Sequence, residues 1–175
     1  MKAPIAMETG ILWPPVAPAT FEITTRLAAP ADRVWQSALS EEGIDYELGP
    51  WLRMTMPKGV GPGATIDDVP VGEELGRSWV LLARFLPVEY DDLRLAERGP
   101  GLRFLERSRL ASASSWQHER EVVPVGDDEC EITDRLELEP RAPLRAIGGA
   151  RLAEGVVRRI FTHRHRRLAE RWGRA

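Results

Sequence analysis

The chain has 175 residues, 43% of them hydrophobic and 29% charged, with a net charge of −3. That length suits one domain able to bury about two-thirds of its unfolded surface, and the composition is that of an ordinary globular chain rather than a fibrous or disordered one. The acidic balance gives the molecule as a whole no attraction for nucleic acid, although residues 151–175 stand apart, with eight Arg against two Glu.

Cys130 is the only cysteine, which excludes an intrachain disulfide and the CxxC metal patterns and fits a reducing cytoplasm. It falls among apolar positions and reads as a small core residue. Residues 1–19, "MKAPIAMETGILWPPVAPA", read as an extended Pro-rich arm with Ile11, Leu12 and Trp13 as its docking residues. Pro14, Pro15 and Pro18 interrupt any apolar run there, so the arm is a poor signal peptide. No apolar run is long enough to span a bilayer, and stable membrane insertion is not expected. Residues 20–175 are read as a single cytoplasmic domain.

"TFEITTRLA" (20–28) alternates Phe21, Ile23, Thr25 and Leu27 against polar neighbours, the mark of a strand with one buried face. "PADRVWQSAL" (30–39) follows with Pro30 suited to a first helical turn and Val34, Trp35 and Leu39 at helical spacing. Ser40 before two glutamates can cap a second short helix, which Gly49-Pro50 should end. The Gly/Pro-dense stretch 56–76 reads as a loop holding at most a short strand near 64–68.

Five strands are then expected without helical interruption: 77–86, 91–98, 102–111, 114–124 and 129–139. The segments between them, "PVEY", "GPG", "ASAS" and "VGDD", read as hairpin turns. Short links make consecutive strands antiparallel neighbours. Pro143 opens a helical segment to about residue 172, with Val156, Val157, Ile160, Phe161, Leu168 and Trp172 as its apolar stripe. Gly148, Gly149 and Gly155 weaken its first half, so a break near 148–155 is expected. The layout is α+β.

This order resembles the SRPBCC, or START-related helix-grip, superfamily of polyketide cyclase/dehydrase-like and birch-pollen-allergen-like domains. "GIDYELGPWLRMTMP" (43–57), "ERSRLASASSWQHERE" (106–121) and "FTHRHRRL" (161–168) carry the likeness. The last is similar to the F-x-x-R-H-x-x-L pattern of the superfamily's terminal helix, at Phe161, Arg164, His165 and Leu168. The resemblance implies a curved antiparallel sheet of about seven strands around a long C-terminal helix, with a ligand cavity between them. It also implies a place near the cavity mouth for Arg53 and Met54. It does not by itself license an activity.

The more apolar strand faces put Glu106, His118, Arg120 and Asp134 inside together with Trp116 and Val122. A three-residue "GDD" loop places Val122 opposite Ile132 and Arg120 opposite Asp134. A three-residue "ASA" loop places Leu110 opposite Ser114 and Glu106 opposite His118. Both registers keep the apolar faces matched, as they must, since a one-residue slip flips every side chain.

Two readings of this inward patch stand side by side. It is a structural ion-pair network, or it is the polar end of a pocket for a small apolar or amphipathic molecule. In the second reading Glu106, Trp116, His118, Arg120, Asp134, Trp79 and Phe161 bind the ligand. An enzyme of the cyclase/dehydratase kind would use His118 as general base. A third reading is an interaction module working through Arg158, Arg159, Arg166 and Arg167.

No metal or cofactor is expected. His163 and His165 lie on different helix faces, and no HxxxH spacing, GxSxG, P-loop or GxGxxG pattern occurs. Nucleic acid is not an expected partner, because an amphipathic helix with an arginine-rich outer face is commoner than a nucleic-acid patch. Trp35, Trp51, Trp79, Trp116 and Trp172 either line the cavity or pack the core.

Overall fold

The computed structural model describes residues 19–58, 60–61 and 69–175. The strands are β1 (Ala19–Leu27), β2 (Leu52–Met54), β3 (Glu74–Leu82), β4 (Leu86–Arg98), β5 (Leu102–Leu110), β6 (Ala113–Pro124) and β7 (Cys130–Pro140). The helices are α1 (Ala31–Leu39), α2 (Glu41–Leu48), α3 (Ala142–Ala146) and α4 (Ala150–Trp172). The strands form one antiparallel sheet in the order β1-β7-β6-β5-β4-β3-β2. The chain enters at one edge, crosses to the other through α1 and α2, meanders back to β1, and then lays α4 across the sheet's inner face. The result is an α+β helix-grip fold.

Both inferred registers hold: Arg120 pairs with Asp134 and Val122 with Ile132, while Glu106 pairs with His118. The second helix is capped as read, with Gly43 N–H donating to Ser40 Oγ at 3.0 Å. The terminal helical segment breaks at Gly148, whose φ of 74° is open to glycine. Gly148 N–H donates to Arg145 O at 3.0 Å and Gly149 N–H to Leu144 O at 2.8 Å. This Schellman pattern closes α3 before α4 starts.

One expectation fails at the far edge. The "PVEY" segment lies inside β4, and the chain turns instead at Ala83 and Arg84, with φ of 50° and 71°. Phe85 N–H donates to Leu82 O at 3.3 Å across that turn. Neither residue type favours positive φ, so the turn left no trace in the composition. Pro87 is tolerated in the strand because the β4–β5 ladder reaches only as far as Asp91, leaving that stretch of β4 paired with β3 alone. The expected short strand near 64–68 falls outside the described residues. β2, which pairs with β3, supplies a strand that the sequence reading did not foresee. The Pro-rich arm also lies outside the described residues, apart from Ala19, which starts β1.

The core is layered. One cluster gathers Leu27, Val34, Trp35, Val122, Ile132 and Leu168, among others. A second gathers Ala113, Trp116, Leu136, Leu138 and Phe161. Along β6 the order is Trp116, His118, Arg120, Val122; along β7 it is Leu136, Asp134, Ile132. A polar layer therefore runs between two apolar ones. Of the tryptophans, Trp35 and Trp116 are core residues, whereas Trp51 and Trp79 are exposed.

The double substitution Ala83→Asn with Arg84→Gly should raise stability by about 1 kcal/mol, since an Asn-Gly pair adopts that turn without penalty. Urea denaturation measures it, and an unchanged or lower midpoint would contradict the account.

Candidate functional site

Asp134 is fully buried, and both of its oxygens are doubly engaged. Oδ1 accepts from Arg120 Nε at 2.7 Å and faces His118 Nε2 at 2.9 Å. Oδ2 accepts from Arg120 Nη2 at 2.7 Å and faces His165 Nε2 at 3.0 Å. Four lone-pair positions meet four nitrogens, the full capacity of a carboxylate. Burial works to raise the Asp134 carboxyl, but Arg120 and then His118 outweigh it and hold it well below the usual carboxylate range.

Arg120, only 1% exposed, turns its other side to Glu47 on α2. Nη1 and Nη2 donate to the two Glu47 oxygens, each at 3.0 Å. The guanidinium thus forks onto two carboxylates at once, a geometry lysine cannot supply. Arg164 Nε adds a bond to Glu47 Oε2 at 2.9 Å. Burial raises the Glu47 carboxyl, yet Arg120 and Arg164 together keep it below its ordinary value.

The terminal-helix motif now has a physical meaning. Phe161, Arg164, His165 and Leu168 sit at i, i+3, i+4 and i+7, one face of α4. Phe161 packs on Trp116 and on the His118 ring, with centroids 6.2 and 5.0 Å away. Arg164 pairs with Glu47, His165 joins Asp134 to Thr25, and Leu168 enters the apolar core. Thr25 Oγ1 lies 2.8 Å from His165 Nδ1, so both ring nitrogens of His165 have a partner.

The layer continues across the sheet. His118 Nδ1 faces Glu106 Oε2 at 3.7 Å, and Ser108 Oγ donates to Glu106 Oε1 at 2.8 Å. Asp91 on β4 comes next, 5% exposed, with the Glu106 carboxylate bearing on it. Burial first, and the Glu106 charge second, push the Asp91 carboxyl up to about 10, so it carries its proton at neutral pH. Ser78 on β3 stands opposite Asp91 and is fully buried. Ser78 Oγ and Asp91 Oδ1 have no hydrogen-bond partner among the described residues. One end of the layer is closed by mutual bonds; the other ends in unmet polar atoms.

The helices cover these ends unequally. α4 packs on β1, β7 and α2, and α1 packs on β5 and β6. The inner face at Ser78 and Asp91 belongs to strands with no comparable helix contact. Two depressions formed by described residues lie elsewhere. One of about 570 Å³ is on the opposite sheet face, among Glu22, Arg103, Gln117, Glu119 and Arg135. Another of about 420 Å³ is at the sheet end near Pro30, Gly101 and Val122.

Glu106, Trp116, His118, Arg120, Asp134 and Phe161 thus meet in one layer, as the strand faces imply. Trp79 does not join them. It is 41% exposed, on the face of β3 opposite Ser78, with its ring against Tyr90 and Arg77. Pairing of Trp79 with Tyr90 fixes that facing. Both His118 ring nitrogens face carboxylates, and Phe104 and Phe161 meet the ring edge-on. Arg53 is drawn to Asp45 and Glu41 on α2 rather than standing free at a mouth.

The arginines of α4 are largely spent within the molecule. Arg164 pairs with Glu47, Arg171 with Glu42, Arg166 and Arg167 with Glu170, and Arg158 with Glu154. Arg167 also stacks on Tyr46, 4.0 Å from the ring centroid. Sequence reading missed Glu47, Asp91 and Ser78. Asp91 was legible in principle, since "DDLRL" alternates it with Leu93, but the "PVEY" segment just before it reads as a turn and cuts the strand short.

A seven-stranded antiparallel sheet gripping a long terminal helix is an SRPBCC/START-like fold. Solved structures agree. A START superfamily protein from Mycobacterium smegmatis matches with a TM-score of 0.59 at 12% identity, over 86% of this chain and 97% of that one. The Zhui aromatase/cyclase of a Streptomyces species matches at 0.60 and 15%, over 88% and 93%. A Thalictrum norcoclaurine synthase, in complex with a transition-state analogue, matches at 0.53 and 16%, over 89% and 98%. The chain belongs to the family described as "Domain of unknown function (DUF8410)", whose model matches residues 25–172. A comparison with curated proteins found no match. Among the described residues, no helix is long and apolar enough to cross a membrane.

Two carboxylates should answer pH in opposite ways. Asp134→Asn removes a paired, buried charge and should cost about 3–5 kcal/mol near neutrality. Because the folded pKa is depressed, that cost should shrink as pH falls below the ordinary Asp value of 3.8. Asp91→Asn should do the reverse. Wild-type Asp91 keeps a proton when folded and loses it on unfolding, so wild-type stability declines as pH rises between 3.8 and about 10. The Asn variant should gain on wild type as pH rises through that window. Urea melts across pH measure both, and parallel profiles for the two variants would refute the assignment.

Proposed function

We propose that this chain binds a small apolar or amphipathic molecule in the space between the inner face of β3–β5 and α4. The observation that carries this reading is the pair of polar atoms unmet among the described residues, Ser78 Oγ and Asp91 Oδ1, buried on strands with no helix contact comparable to that over β1 and β7. A buried polar group without a partner costs about 1–3 kcal/mol, and a fold that bears such a cost beside a fully satisfied network has a use for it. Apolar residues share the layer: Leu110 on β5 pairs with Asp91, buried Leu95 lies further along β4, and Leu110 joins the cluster that holds Val157, Ile160 and Phe161 of α4.

Relatives of the same fold described as an aromatase/cyclase and a norcoclaurine synthase support a small organic ligand. Binding fits this site better than acid–base catalysis by His118, whose two nitrogens already face Asp134 and Glu106. The ion pairs within α4 and to α2 likewise favour a structural role for its arginines over an interaction surface. A cytoplasmic setting belongs to the same proposal, since the lone buried Cys130 asks for no oxidising compartment.

Native mass spectrometry of freshly purified protein should reveal a retained small molecule. Ser78→Ala should raise stability by about 1 kcal/mol, because it removes an unpaired buried hydroxyl, while lowering the retained fraction. Wild-type protein that retains nothing and binds no apolar probe in titration would sink the proposal.

A further inference from the structure

We infer that the Ser78–Asp91–Glu106 corner is a recognition site for an organic ammonium group, so that the ligand is an amphipathic amine; this rests on the binding reading above. The argument is one of charge and donors. Every other buried carboxylate in the layer faces a nitrogen that can answer it: Glu47 has Arg120 and Arg164, Asp134 has Arg120 and two imidazoles, and Glu106 has His118. Asp91 has none among the described residues. The groups bearing on it are Glu106 and Ser108 on β5, Ser78 opposite on β3, and Asp92 beside it on its own strand.

The unmet atoms also select a head group. Asp91 Oδ1 is an acceptor, and Ser78 Oγ can accept. A hydrogen-bond donor fits this corner. A carboxylate or phosphate ligand would bring a second negative charge against Glu106. An ammonium offers three donors and the one positive charge the layer lacks.

Before a ligand binds, the proton on Asp91 holds the place of that charge. When an ammonium enters, the Asp91 O–H bond breaks, its proton passes to solvent, and the carboxylate pairs with the ligand. The net charge of the site is unchanged. No covalent bond to the ligand forms.

Three probes with one aryl body separate the possibilities: 2-phenylethylamine, 2-phenylethanol and phenylacetate. Titration calorimetry at neutral pH, in two buffers of different ionisation enthalpy, reads both affinity and protons released. The amine should bind at least about tenfold more tightly than the alcohol, the acid most weakly, and close to one proton should leave per amine bound. Asp91→Asn, which mimics the protonated carboxyl and so keeps the fold, should bring the amine down to the alcohol's affinity and abolish proton release. Equal or tighter binding of the alcohol or the acid, or amine binding untouched by Asp91→Asn, overturns the ammonium assignment and leaves the binding reading standing. Binding of none of the three, together with no retained molecule, overturns both.

Discussion

A carboxylate with no exposure must be answered by nitrogen on every side, and in this protein Asp134 imposes that demand on the whole fold. Its partners come from β6 (Arg120, His118) and α4 (His165), and through Arg120 it reaches Glu47 on α2. Removing two ions from water costs several kcal/mol each, and only near-ideal geometry offsets it. Here the offset is a guanidinium forked onto two carboxylates. The arrangement fixes how deep α4 lies, how it is rotated, and where α2 sits above the sheet. Apolar layers on either side tolerate small slips; the polar layer does not.

The strands around this layer were legible because a period of two leaves little freedom once faces are matched. Trp116, Val122, Ile132 and Leu136 fix the inward face of β6 and β7, and His118, Arg120 and Asp134 follow. Glu47 was not legible, because α2 is short and polar on most sides and nothing in "EEGIDYEL" marks one acid as buried. Trp79 misled for the opposite reason: an aromatic on a strand suggests an interior, yet its ring rests on Tyr90 and Arg77 outside. At the β3–β4 turn the chain uses Ala and Arg where Gly or Asn would have announced it. Misplacing that turn hid Asp91, a buried acid that faces no cation among the described residues.

The two candidate meanings of the inward patch divide along the sheet. Over β6 and β7, beneath α4, the polar groups complete one another and serve the fold. Over β3 and β4 they do not, and there the molecule has polar atoms to offer a ligand. The relatives, at 12–16% identity, share the sheet and the helix with this chain.

Arg164 and His165 lie on an element that follows all seven strands in the chain. Thr25 and His165 are 140 residues apart, and Arg164 is 117 residues from Glu47. Until α4 docks, the sheet can offer Asp134 only the guanidinium of Arg120 and the ring of His118. The nitrogen of His165 has yet to arrive, and water must stand in its place. Docking of α4 in any other register would leave that Asp134 carboxylate oxygen without its nitrogen in an apolar setting, so the groups that lock the helix also reject its misplacement.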